Sequence, residues 1–119
     1  MTVLLHVCIT CRAGEVSDEG GPCAGSRLHA ALNSEHVPDG VTIVPVECLS
    51  ACSRGATIAL ASKGRWTYVY GPMAESDARD ILAGAAAYAE TPDGIVPWRK
   101  RIDIFKKNAI ARIPPIKDA

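Results

Sequence analysis

The sequence predicts a single-domain α/β sandwich in which a strand–helix–strand unit is followed by a hairpin and a closing helix. Three observations carry this reading. Hydrophobic patterning switches along the chain between short β-branched runs and helical spacing. The runs are punctuated by Pro, Gly and Asp pairs that turn the chain. The length, 119 residues, allows one domain with a real core and no disulfide staples.

Thr2 to Val7 (TVLLHV) reads as a buried strand that delivers Cys8 at its C-terminal end. Residues 12 to 25, rich in Gly, Pro, Ser and acids, read as a loop. Leu28, Ala31 and Leu32 fall at helical spacing, which predicts a helix from about Ala24 to His36. Val37-Pro38-Asp39-Gly40 stops it, because proline cannot continue the ladder and Asp-Gly is a turn pair. Val41 to Val46 is a second strand, delivering Cys48 just past its end, and Pro45 within it suggests an edge position. Thr57 to Ala61 and Arg65 to Tyr70 flank Ser62-Lys63-Gly64, a hairpin signature, with Trp66, Tyr68 and Tyr70 alternating on one face. Pro72 breaks that strand, and Ala74 to Glu90 is a long Ala-rich helix with Ile81, Leu82, Ala85 and Tyr88 along one stripe.

This order, β-α-β-β-β-α, is that of a thioredoxin-like α/β sandwich, with the first two strands parallel across a crossover helix. The expected division is a thioredoxin-like metal- or cluster-binding domain over residues 1–90 and a Pro-rich basic C-terminal extension over residues 91–119 packed on it. The extension holds Pro92, Pro97, Pro114 and Pro115 and seven basic side chains: Arg99, Lys100, Arg101, Lys106, Lys107, Arg112 and Lys117. It resembles a patch for nucleic acid or an acidic partner, but Asp103 and the apolar Ile102, Ile104 and Phe105 interrupt it. A half-buried wrapping segment anchored by Trp98 is the better reading, with one helical turn near Arg101 to Lys107.

Composition removes several function classes. Lys plus Arg equals Asp plus Glu, so no global field draws the chain to nucleic acid or an anionic membrane. No apolar run approaches the ~20 residues that span a bilayer, and the first ten residues lack a signal-peptide pattern, so the cytoplasm is the expected compartment. In a reducing compartment, clustered cysteines are more often metal ligands or redox thiols than staples.

Five cysteines therefore carry the functional argument. Cys8-Ile-Thr-Cys11 is a CxxC and Cys48-Leu-Ser-Ala-Cys52 a CxxxC, each able to chelate one metal ion. Both pairs are expected just beyond the C-terminal ends of the first two strands, the edge where open α/β sheets place their sites. Together Cys8, Cys11, Cys48 and Cys52 supply the four thiolates required by a 2Fe–2S, a 4Fe–4S or an all-cysteine zinc site. Cys23, the fifth, is an alternative to Cys11 as ligand, a spare thiol, or a partner for Cys11 when metal is absent. Ser50, Ala51, Ser53, Gly55 and Ala56 are small enough for backbone N–H groups to approach cluster sulfurs. Arg12 and Arg54 follow the pairs closely and can either stabilise thiolate charge or lie solvated. His6, His29 and His36 are better read as ordinary histidines, since four cysteines leave no need for imidazole ligands.

The stretches VCITCR, VECLSACSRG, WTYVYG, VPWR and IARIPP resemble a family of small bacterial proteins of unknown function described as metal-binding. That family is in turn similar to thioredoxin-like 2Fe–2S ferredoxins and to the cluster-bearing small subunit of respiratory complex I, through the shape C…C…CLxxC. The resemblance implies ligands at Cys8, Cys11, Cys48 and Cys52 and a link to cobalamin or cobalt metabolism. Thioredoxin-like ferredoxins space their first two ligands more widely than CxxC, which keeps Cys23 in contention. The leading expectation is a ferredoxin that carries one electron through a 2Fe–2S cluster to a redox protein partner, not an enzyme. A homodimer is a further option, and neither nucleic acid nor membrane is expected as a partner. The alternatives are a four-cysteine zinc protein, structural or trafficking, and a thiol–disulfide oxidoreductase using Cys8 and Cys11. Against the last, a thioredoxin usually sets a cis-proline opposite its dithiol, and the loop after the second strand here carries cysteines and no proline.

Overall fold

The computed structural model describes residues 2–9, 23–47 and 56–115. In chain order the elements are β1 (Val3–Cys8), α1 (Ala24–Ser34), β2 (Val41–Val46), β3 (Ile58–Ala61), β4 (Thr67–Tyr70), α2 (Ala78–Ala89), α3 (Asp103–Asn108) and β5 (Ala109–Ile113). The strands form one five-stranded sheet in the order β2-β1-β3-β4-β5. β1 runs parallel to β2 and antiparallel to β3, and β3, β4 and β5 follow as antiparallel neighbours.

Strand alternation decides which face is core. Val3, Leu5 and Val7 point to one side with no exposed surface, level with Val41, Ile58, Leu60, Tyr68 and Tyr70. α1 meets them with Leu28 and Leu32, and α2 with Ile81, Leu82, Ala85 and Tyr88, in one continuous cluster. The described helices all pack on this face. The other face presents Leu4, His6, Thr42, Val44, Ala59, Val69 and Ile113, with no charged side chain among them. Pro45 lies exposed on β2, which is an edge strand, because a residue without an N–H can complete only one side of a ladder.

The turns are built as the sequence requires. α1 ends at Ser34, two residues before the expected stop, and the Glu35 N–H closes on Leu32 O at 3.3 Å. Gly40 then takes φ +83°, a conformation that costs glycine little, and its carbonyl accepts the Val3 N–H at 2.8 Å. That bond fixes the start of β1 against the turn that feeds β2. A 3-10 turn at Glu75–Asp77 opens the second helix, where the Asp77 carboxylate accepts the Ala74 N–H at 2.8 Å. At its far end the buried Arg65 guanidinium donates to Tyr88 O and Ala89 O, and the Thr91 hydroxyl also donates to Tyr88 O, so the carbonyls of the last helical turn are met by side chains.

The helical turn expected near Arg101 to Lys107 is present as α3, and the chain after residue 90 holds further structure that the sequence did not announce. A 3-10 turn at Trp98–Lys100 leads into α3 and then β5, which pairs with β4 as the fifth strand. Phe105 fastens this segment. Its ring stacks on Tyr70 with centroids 3.9 Å apart and lies against Gly84 of α2, where even a methyl group would overlap it. β5 was hidden in the sequence because its side chains are mostly exposed and carry no alternating hydrophobic signal.

Candidate metal centre

Cys8 is the last residue of β1 and is 3% exposed. Its position follows from two ladders closing around it. The Cys8 N–H donates to Thr57 O at 3.1 Å on the β3 side, and the next N–H, Ile9, donates to Val46 O at 2.9 Å on the β2 side. The thiol itself donates to Glu47 O at 3.6 Å. Glu47 runs directly into Cys48, so the parallel register Cys8↔Val46 brings the chain that enters the CxxxC pair to the same end of the sheet as Cys8.

Cys23 enters from a third direction. It is the residue before the first turn of α1, and its thiol donates to Ile9 O at 2.8 Å. A residue that the sequence placed in a loop is thus held at the backbone next to Cys8. Arg27, one turn along, pairs with Glu75 at 3.2 Å and ties α1 to the turn before α2.

Cys11, Cys48 and Cys52 lie outside the described residues, as do Arg12, Ser50, Ala51, Ser53, Arg54 and Gly55. Among the described residues no three metal-ligating side chains come together. The histidines are dispersed. His6 is half-buried two residues before Cys8, and burial lowers its pKa below the ordinary imidazole value, so it is neutral at pH 7. His29 meets Asn33 at 3.2 Å on the exposed side of α1, and His36 is exposed beyond that helix.

Two features of this edge were not foreseen. Ile9 contributes its carbonyl rather than its side chain, which no residue-type signal could reveal. The chain also carries a cis peptide at Gly71-Pro72, directly after β4, where the sequence reading took Pro72 only as a strand breaker. The Met73 N–H that follows donates to Ala56 O at 2.8 Å, so this bend borders the segment leading into β3. A groove of about 800 Å³ lies at the opposite end of the sheet, lined among others by Thr2, Leu4, Ser62, Lys63, Thr67 and Ile113. Its lining holds no cysteine, histidine or carboxylate, so the thiolate chemistry stays with the cysteine edge.

The architecture is that of the thioredoxin-like class. The chain is similar to a solved thioredoxin-like [2Fe-2S] ferredoxin from Aquifex aeolicus, with a TM-score of 0.59 over 96% of this chain and 94% of that one, at 18% identity. It belongs to the family described as Protein of unknown function (DUF1636), whose model matches residues 5–115. No curated protein matches it.

Proposed function

We propose that the protein is a thioredoxin-like ferredoxin that holds one 2Fe–2S cluster through cysteine thiolates at the C-terminal ends of β1 and β2. When bound, such a cluster accepts and releases one electron; the chain's part is to hold it, exclude water and set its potential. The observation that carries the reading is the approach of three backbone segments to one end of the sheet. Cys8 closes β1, Glu47 leads into Cys48, and Cys23 is hydrogen-bonded to Ile9. Soft thiolate donors suit iron–sulfur and zinc alike. The likeness to a ferredoxin of the same fold favours the first.

The Cys23–Ile9 contact also favours Cys23 over Cys11 as the companion of Cys8, giving the set Cys8, Cys23, Cys48 and Cys52. Anaerobic purification with iron, sulfide and zinc analysis tests both statements. About two irons and two sulfides per chain are expected, with loss of the centre in Cys8→Ser and Cys23→Ser and its retention in Cys11→Ser. One zinc and no sulfide would replace the ferredoxin by a four-cysteine zinc protein. Loss in Cys11→Ser with retention in Cys23→Ser would restore the CxxC pair. A chain that binds neither metal after anaerobic reconstitution would overturn the reading in favour of a dithiol oxidoreductase.

A further inference from the structure

Charge is segregated in this neutral chain. Residues 98–113 contain six of its thirteen basic side chains but only Asp103 of its thirteen acidic ones. Among the described residues no carboxylate pairs with any of those six cations. Three of them lie over aromatic rings. Arg101 and Lys106 lie 5.4 and 5.3 Å from the ring centre of Trp98, Arg101 also lies 5.6 Å from that of Tyr68, and Arg112 lies 4.8 Å from that of Trp66. Arg112 is the cross-strand partner of Tyr68, so these contacts form one continuous patch over β4, β5 and the turn before α3. Trp98, 60% exposed, stands at its outer end with Arg99, Lys100 and Lys107 exposed around it.

We propose that this cationic, aromatic patch is the docking surface for an acidic protein, and on the ferredoxin reading that protein is the electron partner. Exposed Trp and Arg are the side chains enriched where binding energy concentrates in protein interfaces. Unpaired surface cations steer an acidic partner and fix its orientation. The patch meets the cysteine end of the sheet: α3 ends at Asn108, whose carbonyl accepts the Gly71 N–H at 2.9 Å, and two residues later Met73 bonds to Ala56 beside β3. A partner seated on α3 is therefore directed along the edge that carries Cys8. A single-stranded nucleic acid fits less well. The Trp98 ring is already engaged by two cations, and the rest of the chain carries a net negative charge that would repel a phosphate track.

The test measures binding of the full chain to a strongly acidic flavodoxin and, separately, to single-stranded oligothymidylate, across a series of salt concentrations. Saturable flavodoxin binding that weakens with salt is expected. Trp98→Ala and Lys107→Glu should each weaken it about tenfold, while Lys63→Glu, the same charge change on the β3–β4 hairpin, should leave it nearly unchanged. Absence of flavodoxin binding at low salt, equal effects of Lys107→Glu and Lys63→Glu, or tighter binding of the oligonucleotide would each overturn the proposal. Repeating the titration with Cys8→Ser separates the two readings. Binding that survives loss of iron supports the surface independently of the cluster, and binding lost only in the charge variants, with iron content intact, assigns the defect to the surface.

Discussion

Phe105→Ala would show how firmly the C-terminal segment is joined to the domain. Phe105 is 4% exposed, stacks on Tyr70 and fills the space that Gly84 leaves open on α2. Deleting a buried Phe side chain costs about 3–5 kcal/mol. For a chain of this length that would lower the thermal midpoint by about 12–20 °C if all of it fell on global unfolding. The segment has a cheaper way to respond. β5 exposes four of its five residues and bonds only to β4, so α3 and β5 can part from the sheet while the rest of the core persists. The expected result is therefore split. Amide protection in β5 falls by about a hundredfold or more, the equivalent of about 3 kcal/mol, while the midpoint falls by less than the full amount. Hydrogen exchange read by mass spectrometry beside a thermal melt measures both. Protection in β5 changed by less than about tenfold, with a midpoint within about 2 °C of the parent, would refute the argument that Phe105 is the fastening.

Gly94 has φ +86°, and a Cβ there would meet Trp66 O at 2.8 Å and Trp66 N at 2.9 Å. Gly94→Ala should cost about 2–4 kcal/mol in urea denaturation. Gly64→Ala, at φ +79° but with nothing within 4 Å, should cost only the conformational part, about 1–2 kcal/mol; equal losses at the two sites would remove the overlap argument. Alkaline pH should loosen the fold. Burial pushes the Tyr88 hydroxyl up to about 12 and Tyr70 higher still, so both rings are protonated in the folded state at pH values where the unfolded chain ionises. Their stabilising contribution is whole below about pH 10 and declines as pH rises through the folded values, by about 2–3 kcal/mol for Tyr88. Denaturation midpoints from pH 8 to about 11.5 check the sign, and stability that stayed flat or rose above pH 10 would contradict it.

Much of the fold was legible because its signals are local and strong. Val41–Val46 was read to the residue from its β-branched run between Asp-Gly and Glu47, and Pro45 announced the edge. Trp66, Tyr68 and Tyr70 declared a shared face, which the Tyr68–Tyr70 stack at 5.7 Å bears out for those two rings. The helical turn near Arg101 to Lys107 was legible and is α3, whereas β5 was not. A short strand with four of its five residues exposed leaves no period to detect, and the segment that carries it is fastened through Phe105 to Tyr70 and Gly84, distant in sequence. The cysteine edge was read in part. A strand ending in Cys8 can be inferred from TVLLHV, whereas the turn of chain that brings Cys23 to Ile9 depends on how α1 docks across β1, which is a tertiary fact.

The place of β1 in the middle of the sheet has a kinetic consequence. It is zipped on one side to Val41–Val46 and on the other to Ile58–Ala61, and neither ladder is local in the chain. Loop closure must be spent before either pairing returns free energy, which makes such strands slow to settle. The end of β1 at Cys8 thus becomes a defined place only when the crossover and the hairpin have both closed around it. A ligand held there would bind the finished sheet and not its precursors, and by mass action would draw the slow late step forward.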